Sequence, residues 1–260
     1  MNSLKRATRQ MLRPRGWELR QFDPDLSLDT YLWMLFEKMS INCVFDVGGR
    51  FGDYGVLLRN NNYRGHIFSF EPVESNFHRL QAACANDPKW HAYHYALGSE
   101  SGTAEINVSR GTNYSSFLSP SDYGVETSED IKIERTEVVQ VKRLDEVFAE
   151  VMSGIDQPQV YLKMDTQGFD LEVLRGASEC LTQILALQSE LSLQPLYDGM
   201  TSWTAALTEF TDAGYAISAL FAGYRDEGLR LSEMDCVMVR NPVRPEQGNA
   251  PRVDVGRKGR

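Results

Sequence analysis

The residues best suited to binding and chemistry follow two short apolar runs in the first third of the chain. The first run breaks into Gly48, Gly49 and Gly52, and the second, nineteen residues after Gly52, ends at Glu71. Glycines let the backbone approach a ligand where a Cβ atom would collide, and a carboxylate accepts hydrogen bonds from the two hydroxyls of a ribose. Together they predict a crevice for a nucleoside-containing ligand.

Two ligands of this kind have to be distinguished, a dinucleotide and S-adenosylmethionine. Started from Gly48, the dinucleotide motif G-x-G-x-x-G would require glycine at Arg50 and Asp53, and Asp53 would repel a pyrophosphate. The same carboxylate tolerates a cationic sulfonium. The spacing Asp46-x-Gly48-x-x-x-Gly52 therefore favours S-adenosylmethionine. A nicotinamide-dependent reductase, or a glycine turn in some other α/β protein, is the weaker alternative.

The distribution of charge limits the partners of the protein. The net charge is −9, yet residues 1–22 carry six basic residues against one acid, and residues 241–260 carry five against two. The remainder therefore carries −17. This argues against nucleic acid as a partner, because a phosphate backbone needs a basic stripe. The basic arm at 1–22 is expected to be solvated or to touch anionic lipid as a peripheral membrane contact.

The lack of targeting signals and the isolated cysteines both favour a cytoplasmic protein. The sequence lacks the apolar stretch of a signal peptide, and nowhere do about eighteen apolar residues run together, as a membrane span requires. The cysteines stand far apart in apolar surroundings, at Cys43, Cys84, Cys180 and Cys236. They are predicted to be reduced core residues rather than metal ligands or disulfide partners.

Apolar periodicity predicts strands that alternate with helices. The predicted strands cover 43–47, 66–70, 91–96, 160–164 and 184–188, with a final antiparallel pair at 215–221 and 236–240. The predicted helices cover about 28–39, 53–60, 73–86, 144–152 and 201–213. These elements predict one α/β domain at 23–240, with a mostly parallel open sheet covered on both faces. A disordered tail is predicted at 241–260.

A polar stretch at 110–135 separates two segments of alternating polarity at 104–108 and 139–141. The alternation predicts strands that each have one solvent-facing side. Connections as long as 110–135 are usually mobile or functional, so this stretch is predicted to be one or the other.

Residues able to take part in a reaction follow the predicted parallel strands. Gly48, Glu71, Asp165 and Glu190 stand at carboxyl ends, where open α/β sheets bind their ligands. Lys163 lies two residues before Asp165 on the same strand face and is expected to keep that carboxylate ionised. Glu190 has no basic neighbour in the sequence, so burial is expected to raise its pKa towards neutrality, as a general base requires.

With these segments placed, the chain resembles the FkbM family of S-adenosylmethionine-dependent methyltransferases over about residues 41–240. Blocks in the family's order and approximate spacing carry the resemblance, at 44–48, 69–72, 96–98, 115–116, 143–145, 162–168, 173–177, 190–193, 195–197 and 234–235. The resemblance implies a class I methyltransferase (Rossmann-like) fold with a seven-stranded sheet. It also implies methylation of a hydroxyl on a sugar-containing small molecule, glycolipid or polysaccharide. Arg50 replaces the family's usual asparagine and could pair with the methionine carboxylate.

The resemblance and the positions at the carboxyl ends of the strands together assign the candidate site. Contacts to the methyl donor are expected from Asp46, Gly48, Gly49, Arg50, Gly52, Glu71, Pro72, Ala96, Leu97, Ser115, Ser116 and Asp165. Contacts to the acceptor are expected from Gln167, Tyr197 and Asp198, because an aromatic ring and polar groups in a rim loop suit a sugar.

Methyl transfer to oxygen needs a base, because an alcohol is a poor nucleophile until its proton leaves. Asp165 and Glu190 are expected to flank the acceptor hydroxyl, with Lys163 beside Asp165 and with Glu190 as the preferred base. Other readings stay open: the two carboxylates could share a Mg²⁺ ion, or Asp165 could merely cap the following helix. A non-catalytic member that binds the donor and serves as an interaction module is the remaining alternative, and Arg50 is the residue that suggests it.

Overall fold

The computed structural model describes residues 27–226 and 228–241, together with Met11 and Pro14. The basic arm predicted at 1–22 and the tail predicted at 241–260 therefore lie outside the described residues, apart from Met11, Pro14 and Asn241. The continuous part begins with helix α1 (Leu28–Met39), whose first turn is capped by the side chain of Ser27.

Seven strands form the main sheet. They are β1 (Cys43–Val47), β2 (His66–Phe70), β3 (Trp90–Tyr93), β7 (Val160–Met164), β8 (Ile184–Ser192), β9 (Tyr215–Ala222) and β10 (Glu233–Arg240). Their order is β3-β2-β1-β7-β8-β10-β9. Neighbours are parallel except at β10, which is antiparallel to both β8 and β9. This arrangement confirms the predicted seven-stranded class I methyltransferase sheet and the antiparallel pair at its end.

Three further strands form a second sheet beside the first. They are β4 (Ala96–Leu97), β5 (Gly102–Ser109) and β6 (Ile133–Lys142), in the order β4-β6-β5. Between residues 27 and 241 the remaining α-helices are α2 (Asp53–Asn60), α3 (Glu74–Cys84), α4 (Asp122–Thr127), α5 (Leu144–Val151), α6 (Asp170–Arg175) and α7 (Trp203–Asp212). The alternation at 104–108 and 139–141 thus correctly predicted strands, which pair antiparallel as β5 and β6.

Strand β1 shows why the main sheet is covered on both faces. Every one of its residues is buried, and successive side chains enter opposite layers. Phe45 stacks on Phe148 of α5 at 5.5 Å between ring centroids, whereas Val44 belongs to the cluster that includes Leu35 of α1. Such a strand must be apolar throughout, so the single carboxylate in it, Asp46, needs a partner within the sheet.

The strand predicted at 91–96 is wrong in its extent. The chain leaves the main sheet after Tyr93, bends at residues 94–95, and pairs Ala96 with Val141 in the second sheet. The ring of Phe70 packs against both Tyr93 and Tyr95, so the apolar pattern continues through the bend. Without a glycine or proline at the bend, the sequence carries no local signal for it.

Strand β8 is longer than the predicted 184–188 and runs to Ser192. The extension exists because β10 pairs with it, with Asp235 opposite Glu190 and Glu233 opposite Ser192. Glu190 is therefore a residue within the strand, close to its carboxyl end, rather than one that follows the strand.

The cysteines and the described helices concern two further expectations. All four cysteines are buried and free, which confirms their prediction as reduced core residues. Among the described residues, no helix combines the length and the apolar character that crossing a bilayer would demand.

Candidate active site

A cavity of about 550 Å³ opens at the carboxyl ends of β1, β2, β7 and β8. It has two ends of different chemistry. We call the end formed by Gly48, Gly49 and Glu71 the glycine side. We call the end formed by Asp165, Gln167, Glu190 and Glu233 the carboxylate side. Of the other candidate residues, Arg50, Pro72, Ala96, Leu97, Ser115 and Lys163 also line it.

Backbone geometry shapes the glycine side. Gly48 has φ +81°, and a Cβ atom on it would lie 2.1 Å from the carbonyl oxygen of Asp165. The N–H groups of Gly48 and Gly49 both donate to the carbonyl of Phe70 at 3.0 Å, which ties the turn after β1 to the end of β2. Only glycine fits at position 48, because the left-handed conformation and the close backbone approach both exclude a side chain.

Gly52 does not line the cavity, although it was predicted to contact the donor. It has φ +88°, and a Cβ atom on it would lie 3.0 Å from the ring of Trp90. Its lack of a side chain serves the left-handed start of α2 and the packing against β3.

Glu71 is buried at the end of β2, where its carboxylate accepts hydrogen bonds from the backbone N–H groups of Arg50 at 2.8 Å and Val73 at 2.9 Å. Asn76 also donates to it at 3.4 Å. Burial raises the pKa of Glu71 to about 7, and these donors offset part of that rise. The carboxyl group faces the cavity, as the sequence predicted for a residue that binds ribose hydroxyls.

Arg50 spans the mouth of the glycine side. Its Nε donates to Thr112 Oγ1 at 3.0 Å, and its guanidinium lies 3.4 Å from Asp53 and over the ring of Phe51 at 4.4 Å. The backbone of Arg50 is left-handed, with φ +48°. The side chain therefore connects the turn after β1 to the segment that follows β5, and its expected pairing with a methionine carboxylate stays a prediction.

Asp46 lies beneath the cavity rather than in its lining. The sheet register places it between Ser69 of β2 and Lys163 of β7. Ser69 donates to Asp46 at 2.8 Å, and Lys163 Nζ lies 3.1 Å from Asp46 and 3.3 Å from Asp165. Burial lowers the pKa of Lys163, but the two carboxylates outweigh it and hold that pKa above its ordinary value. Asp46 acts on the cavity through Lys163, because Asp46 is fully buried and outside the lining whereas Lys163 lines the cavity.

Gln167 joins the two carboxylates of the predicted reaction centre. Its Nε2 donates to Asp165 Oδ1 and to Glu190 Oε2, at 3.1 Å each. Its backbone is left-handed, with φ +53°, and its carbonyl accepts from Ser116 Oγ at 2.7 Å. Gln167 was predicted to bind substrate; the structure places it between the two acids, and it lines the cavity as well.

Glu190 has the environment that the sequence predicted for a base. Burial raises its pKa well above the ordinary value, and the negative charges of Asp165, Glu233, Asp235 and Asp170 raise it further. Among the described residues, Gln167 is the one hydrogen-bond donor to its carboxylate.

The alternative in which Asp165 caps the following helix is wrong. Helix α6 begins at Asp170, and Asp165 instead contacts Lys163 and Gln167. The turn is held by Asp170, whose buried carboxylate accepts from the N–H of Thr166 at 2.9 Å and from Ser189 Oγ at 2.6 Å. Burial also raises the pKa of Asp170.

The stretch predicted as a mobile or functional loop forms one wall of the cavity. We call residues 110–121 the wall segment. Its cavity-lining residues are Thr112, Asn113, Tyr114, Ser115 and Phe117. Ser116 points away from the cavity and donates to the carbonyl of Gln167, so its predicted contact with the donor is replaced by a structural role. Thr112, Asn113, Tyr114 and Phe117 were missed because nothing in the sequence shows which loop residues face inward.

Tyr197 and Asp198 are not placed to bind an acceptor directly. Tyr197 is 1% exposed, and its hydroxyl lies 2.9 Å from Gln167 Oε1 and 3.0 Å from the carbonyl of Tyr114. A buried ring cannot stack on a sugar. Asp198 is exposed outside the cavity, where its N–H donates to the carbonyl of Ser119. The loop after β8 folds back on the wall segment, which the sequence pattern did not reveal.

The carboxylate side includes one acidic residue that the sequence analysis missed. Glu233, the first residue of β10, lines the cavity, and burial raises its pKa. Its neighbour Asp235 accepts from Gln188 Nε2 at 2.8 Å. The antiparallel pairing of β10 with β8 brings these acids close to Glu190. The sequence has no local signal for this arrangement, because it depends on strand pairing across more than forty residues.

The residues described here give no support to the magnesium alternative. No three of their His, Cys, Asp and Glu side chains are arranged to hold a metal ion. Asp165 and Glu190 meet at the Gln167 amide, a hydrogen-bond donor that a cation would have to displace.

Comparison with known families gives one match that covers most of the domain. The model of the methyltransferase FkbM domain matches residues 46–217, well over half of the chain. No curated protein shows significant similarity to the sequence.

Solved structures align at low identity. A putative O-methyltransferase from Klebsiella pneumoniae has a TM-score of 0.46 and 7% identity, over 93% of this chain and 91% of that one. An uncharacterized protein from Listeria monocytogenes serotype 4b has a TM-score of 0.47 and 9% identity, over 86% and 71%. Fibrillarin from Aeropyrum pernix, with natively bound S-adenosyl-L-methionine, has a TM-score of 0.43 and 10% identity, over 76% and 66%. Likenesses at this level carry no inference about the reaction.

Proposed function

Because the chain belongs to the FkbM family of S-adenosylmethionine-dependent methyltransferases, we propose that it methylates a hydroxyl group of a sugar-containing small molecule, glycolipid or polysaccharide. The observation that carries the choice of oxygen is Glu190, a carboxyl group at the cavity whose pKa burial raises well above its ordinary value. An alcohol must lose its proton as it attacks, whereas a neutral amine needs no base to do so.

The glycine side suits the methyl donor. Its floor is the glycine turn, where Gly48 packs so closely on the Asp165 carbonyl that a Cβ atom would clash with it, and Glu71 offers carboxylate oxygens to paired hydroxyls. When bound, the donor supplies a methyl group on a cationic sulfur. Asp53 lines the same end and disfavours the pyrophosphate of a dinucleotide, which argues against the reductase alternative.

The carboxylate side suits the acceptor. Glu190 takes the proton of the hydroxyl, and Gln167 holds one of its oxygens at 3.1 Å so that the carboxylate keeps its direction. Asp165, held by Lys163 and Gln167, is placed to accept a hydrogen bond from a neighbouring hydroxyl of the acceptor. Aligned attack on the methyl carbon requires that both groups be fixed before the reaction.

Calorimetric titration separates the candidate ligands. The protein is expected to bind S-adenosylmethionine and its demethylated product, and to give no heat with NADH. A protein that binds NADH and neither methyl compound would contradict both the family's donor and the assignment of the glycine side.

Mass spectrometry of glycolipids and polysaccharides tests the acceptor class. Extracts are compared from cells that carry the chain, lack it, or carry Glu190→Ala or Asp165→Ala. We expect a glycan species that is heavier by one methylene group only where the unaltered chain is present. Identical spectra from all four, with donor binding intact, would overturn the proposed acceptor and favour a non-catalytic donor-binding module.

A further inference from the structure

Asn76 lies beside Glu71 on the glycine side of the cavity. It is the third residue of α3, it is 2% exposed, and it lines the cavity. Its Nδ2 donates to Glu71 Oε1 at 3.4 Å. An ionised carboxylate can only accept hydrogen bonds, so the nitrogen of the amide has to face Glu71. The amide oxygen of Asn76 is therefore left for another group.

This oxygen has no partner in the part of the chain that the structure describes. Asn76 Oδ1 is buried, and no hydrogen-bond donor of the described residues reaches it. Asp46 Oδ1 is also buried without a hydrogen bond, but the ammonium group of Lys163 compensates it from 3.1 Å. A buried acceptor without a donor is costly, and folded proteins satisfy nearly all such atoms. Because Asn76 lines the cavity, a bound ligand is the natural source of the missing donor.

The carboxylate of Glu71 has capacity for only one further donor. Each oxygen of an ionised carboxylate accepts about two hydrogen bonds. Oε1 already accepts from the N–H of Val73 and from Asn76, and Oε2 accepts from the N–H of Arg50. One acceptor position therefore remains, on Oε2. A ribose carries two neighbouring hydroxyls, so the second hydroxyl needs an acceptor other than Glu71.

We infer that Asn76 is a second ribose-binding residue. Its Oδ1 accepts a hydrogen bond from one of the 2′ and 3′ hydroxyls of the methyl donor, and Glu71 accepts from the other. The terminal torsion of an asparagine is broad, so the amide can turn its oxygen towards the cavity while its nitrogen stays near Glu71. The inference rests on the proposed function for the identity of the donor and is independent of the acceptor.

A role in which Asn76 only positions Glu71 makes a different prediction. In that case the amide acts through the carboxylate, and its removal affects the ligand without regard to which hydroxyl is present. An oxygen that binds one hydroxyl, in contrast, loses its effect when that hydroxyl is absent from the ligand. Pairing each protein variant with each ligand therefore separates the two roles, as in a double-mutant cycle.

Calorimetry with three ligands tests the inference: S-adenosylhomocysteine, its 2′-deoxy form and its 3′-deoxy form. In the parent, the loss of either hydroxyl should weaken binding by about tenfold or more, because a buried acceptor is left unpaired. In Asn76→Ala, one of the deoxy ligands should bind within about twofold of S-adenosylhomocysteine. The other should keep its full penalty, because Glu71 is still present.

Asn76→Leu is the second variant, because leucine branches at the same carbon and fills the space of the amide. It should give the same selective relief as Asn76→Ala, and no water can then replace the lost oxygen. Its melting temperature should stay close to that of the parent, because an apolar group of similar shape replaces an unsatisfied one.

Asn113→Ala is the matched control. Asn113 also lines the cavity, but it belongs to the wall segment rather than to α3. This variant should change the affinity for all three ligands by the same factor. Selective relief in Asn113→Ala as well would overturn the inference, because the effect would then not depend on the asparagine beside Glu71.

Equal treatment of the two deoxy ligands by both Asn76 variants would also overturn it. If both penalties persist, Asn76 contacts neither hydroxyl; if both vanish, Asn76 only positions Glu71. A parent that binds none of the three ligands would refute the donor, and the proposed function with it. Binding of all three without selective relief would refute only the role of Asn76, so the two failures are told apart.

Discussion

The glycine side and the carboxylate side of the cavity share a wall but are held together differently. The glycine side is held by contacts that involve backbone: Gly48 against the carbonyl of Asp165, and Glu71 with the N–H of Arg50. The carboxylate side is made by side chains from the turn after β7 and from β8, which meet at the amide of Gln167. Backbone geometry tolerates almost no substitution, whereas a side-chain network can lose one member and keep its shape.

This difference predicts that substitutions on the glycine side act through steric clashes, whereas substitutions on the carboxylate side act on the chemical step. Substitutions at the first should abolish binding and reduce stability together. Substitutions at the second should reduce the rate of transfer while the donor still binds.

The largest effect is expected from Gly48→Ala. Its Cβ would lie 2.1 Å from the carbonyl oxygen of Asp165, and its φ is +81°, so the turn must move. We expect no measurable donor binding by calorimetry and a loss of unfolding free energy of more than about 1–3 kcal/mol, the usual cost of a strained residue alone.

Gly154→Ala is the control for backbone strain. Gly154 has φ +80°, yet a Cβ on it would meet nothing within 4 Å. It should lose about 1 kcal/mol of stability and none of the donor affinity. Equal losses in both variants would show that the clash at Gly48 does not shape the site.

Glu190→Gln should lower methyl transfer by about 10²–10⁴-fold, the usual contribution of a general base. The amide cannot accept the proton, while it keeps nearly the same shape. Transfer of labelled methyl groups to the acceptor fraction found by mass spectrometry measures the rate, and calorimetry should show donor affinity within about threefold. Glu233→Gln is the matched control on β10; a larger loss there than at Glu190 would move the base to Glu233.

Tyr197→Phe should lower transfer by about tenfold, since the hydroxyl 2.9 Å from Gln167 Oε1 keeps the amide nitrogen directed at Glu190. Donor affinity should not change, because Tyr197 lies away from the glycine side. Tyr123→Phe tests the same loss of a hydroxyl from the same apolar cluster, where the hydroxyl contacts Ser232 instead. If both variants slow transfer equally, Tyr197 supports the fold rather than the amide.

The pH dependence of donor binding should report Glu71. Its pKa is raised by burial to about 7, and hydroxyl donors favour the ionised form, so donor affinity should rise about three- to tenfold as pH increases through 7. The same shift affects stability with the opposite sign. The folded state prefers the protonated group, so this residue's contribution to the unfolding free energy falls as pH rises from 4.5 to about 7.

Glu71→Gln isolates this contribution because it cannot ionise. Calorimetry and denaturant unfolding between pH 5 and 8 should give flatter profiles for the variant than for the parent. Profiles of equal slope would mean that another acid causes the pH dependence.

The smallest effect is expected from Thr112→Val, which removes the acceptor of the 3.0 Å hydrogen bond from Arg50. The guanidinium is partly exposed, so the bond contributes only about 0.5–1 kcal/mol to holding the wall segment. The dissociation rate of the donor, followed by stopped-flow, should increase about two- to fivefold. Thr112→Ser keeps the hydroxyl and should restore the parent rate; if it does not, the methyl group rather than the bond secures the wall.

The parts predicted best from sequence are those that local chemistry decides. The glycine turn, the raised pKa of Glu190 and the pairing of Lys163 with Asp165 all follow from residues in or next to one strand. Gly52, Ser116 and Tyr197 lie outside the cavity lining, which the sequence could not show because each position depends on a segment distant in sequence that the residue packs against.

By itself the sequence determined the alternation of strands and helices and the positions of the glycines and carboxylates at the strand ends. Periodicity of side chains and the conformational freedom of glycine are properties of short segments, so they can be read without a fold. Only the tertiary structure decided that Glu233 joins Glu190, that Gln167 lies between two acids and that the stretch after β5 becomes a wall. Those contacts depend on strand order and on the antiparallel return of β10, and no local pattern specifies either.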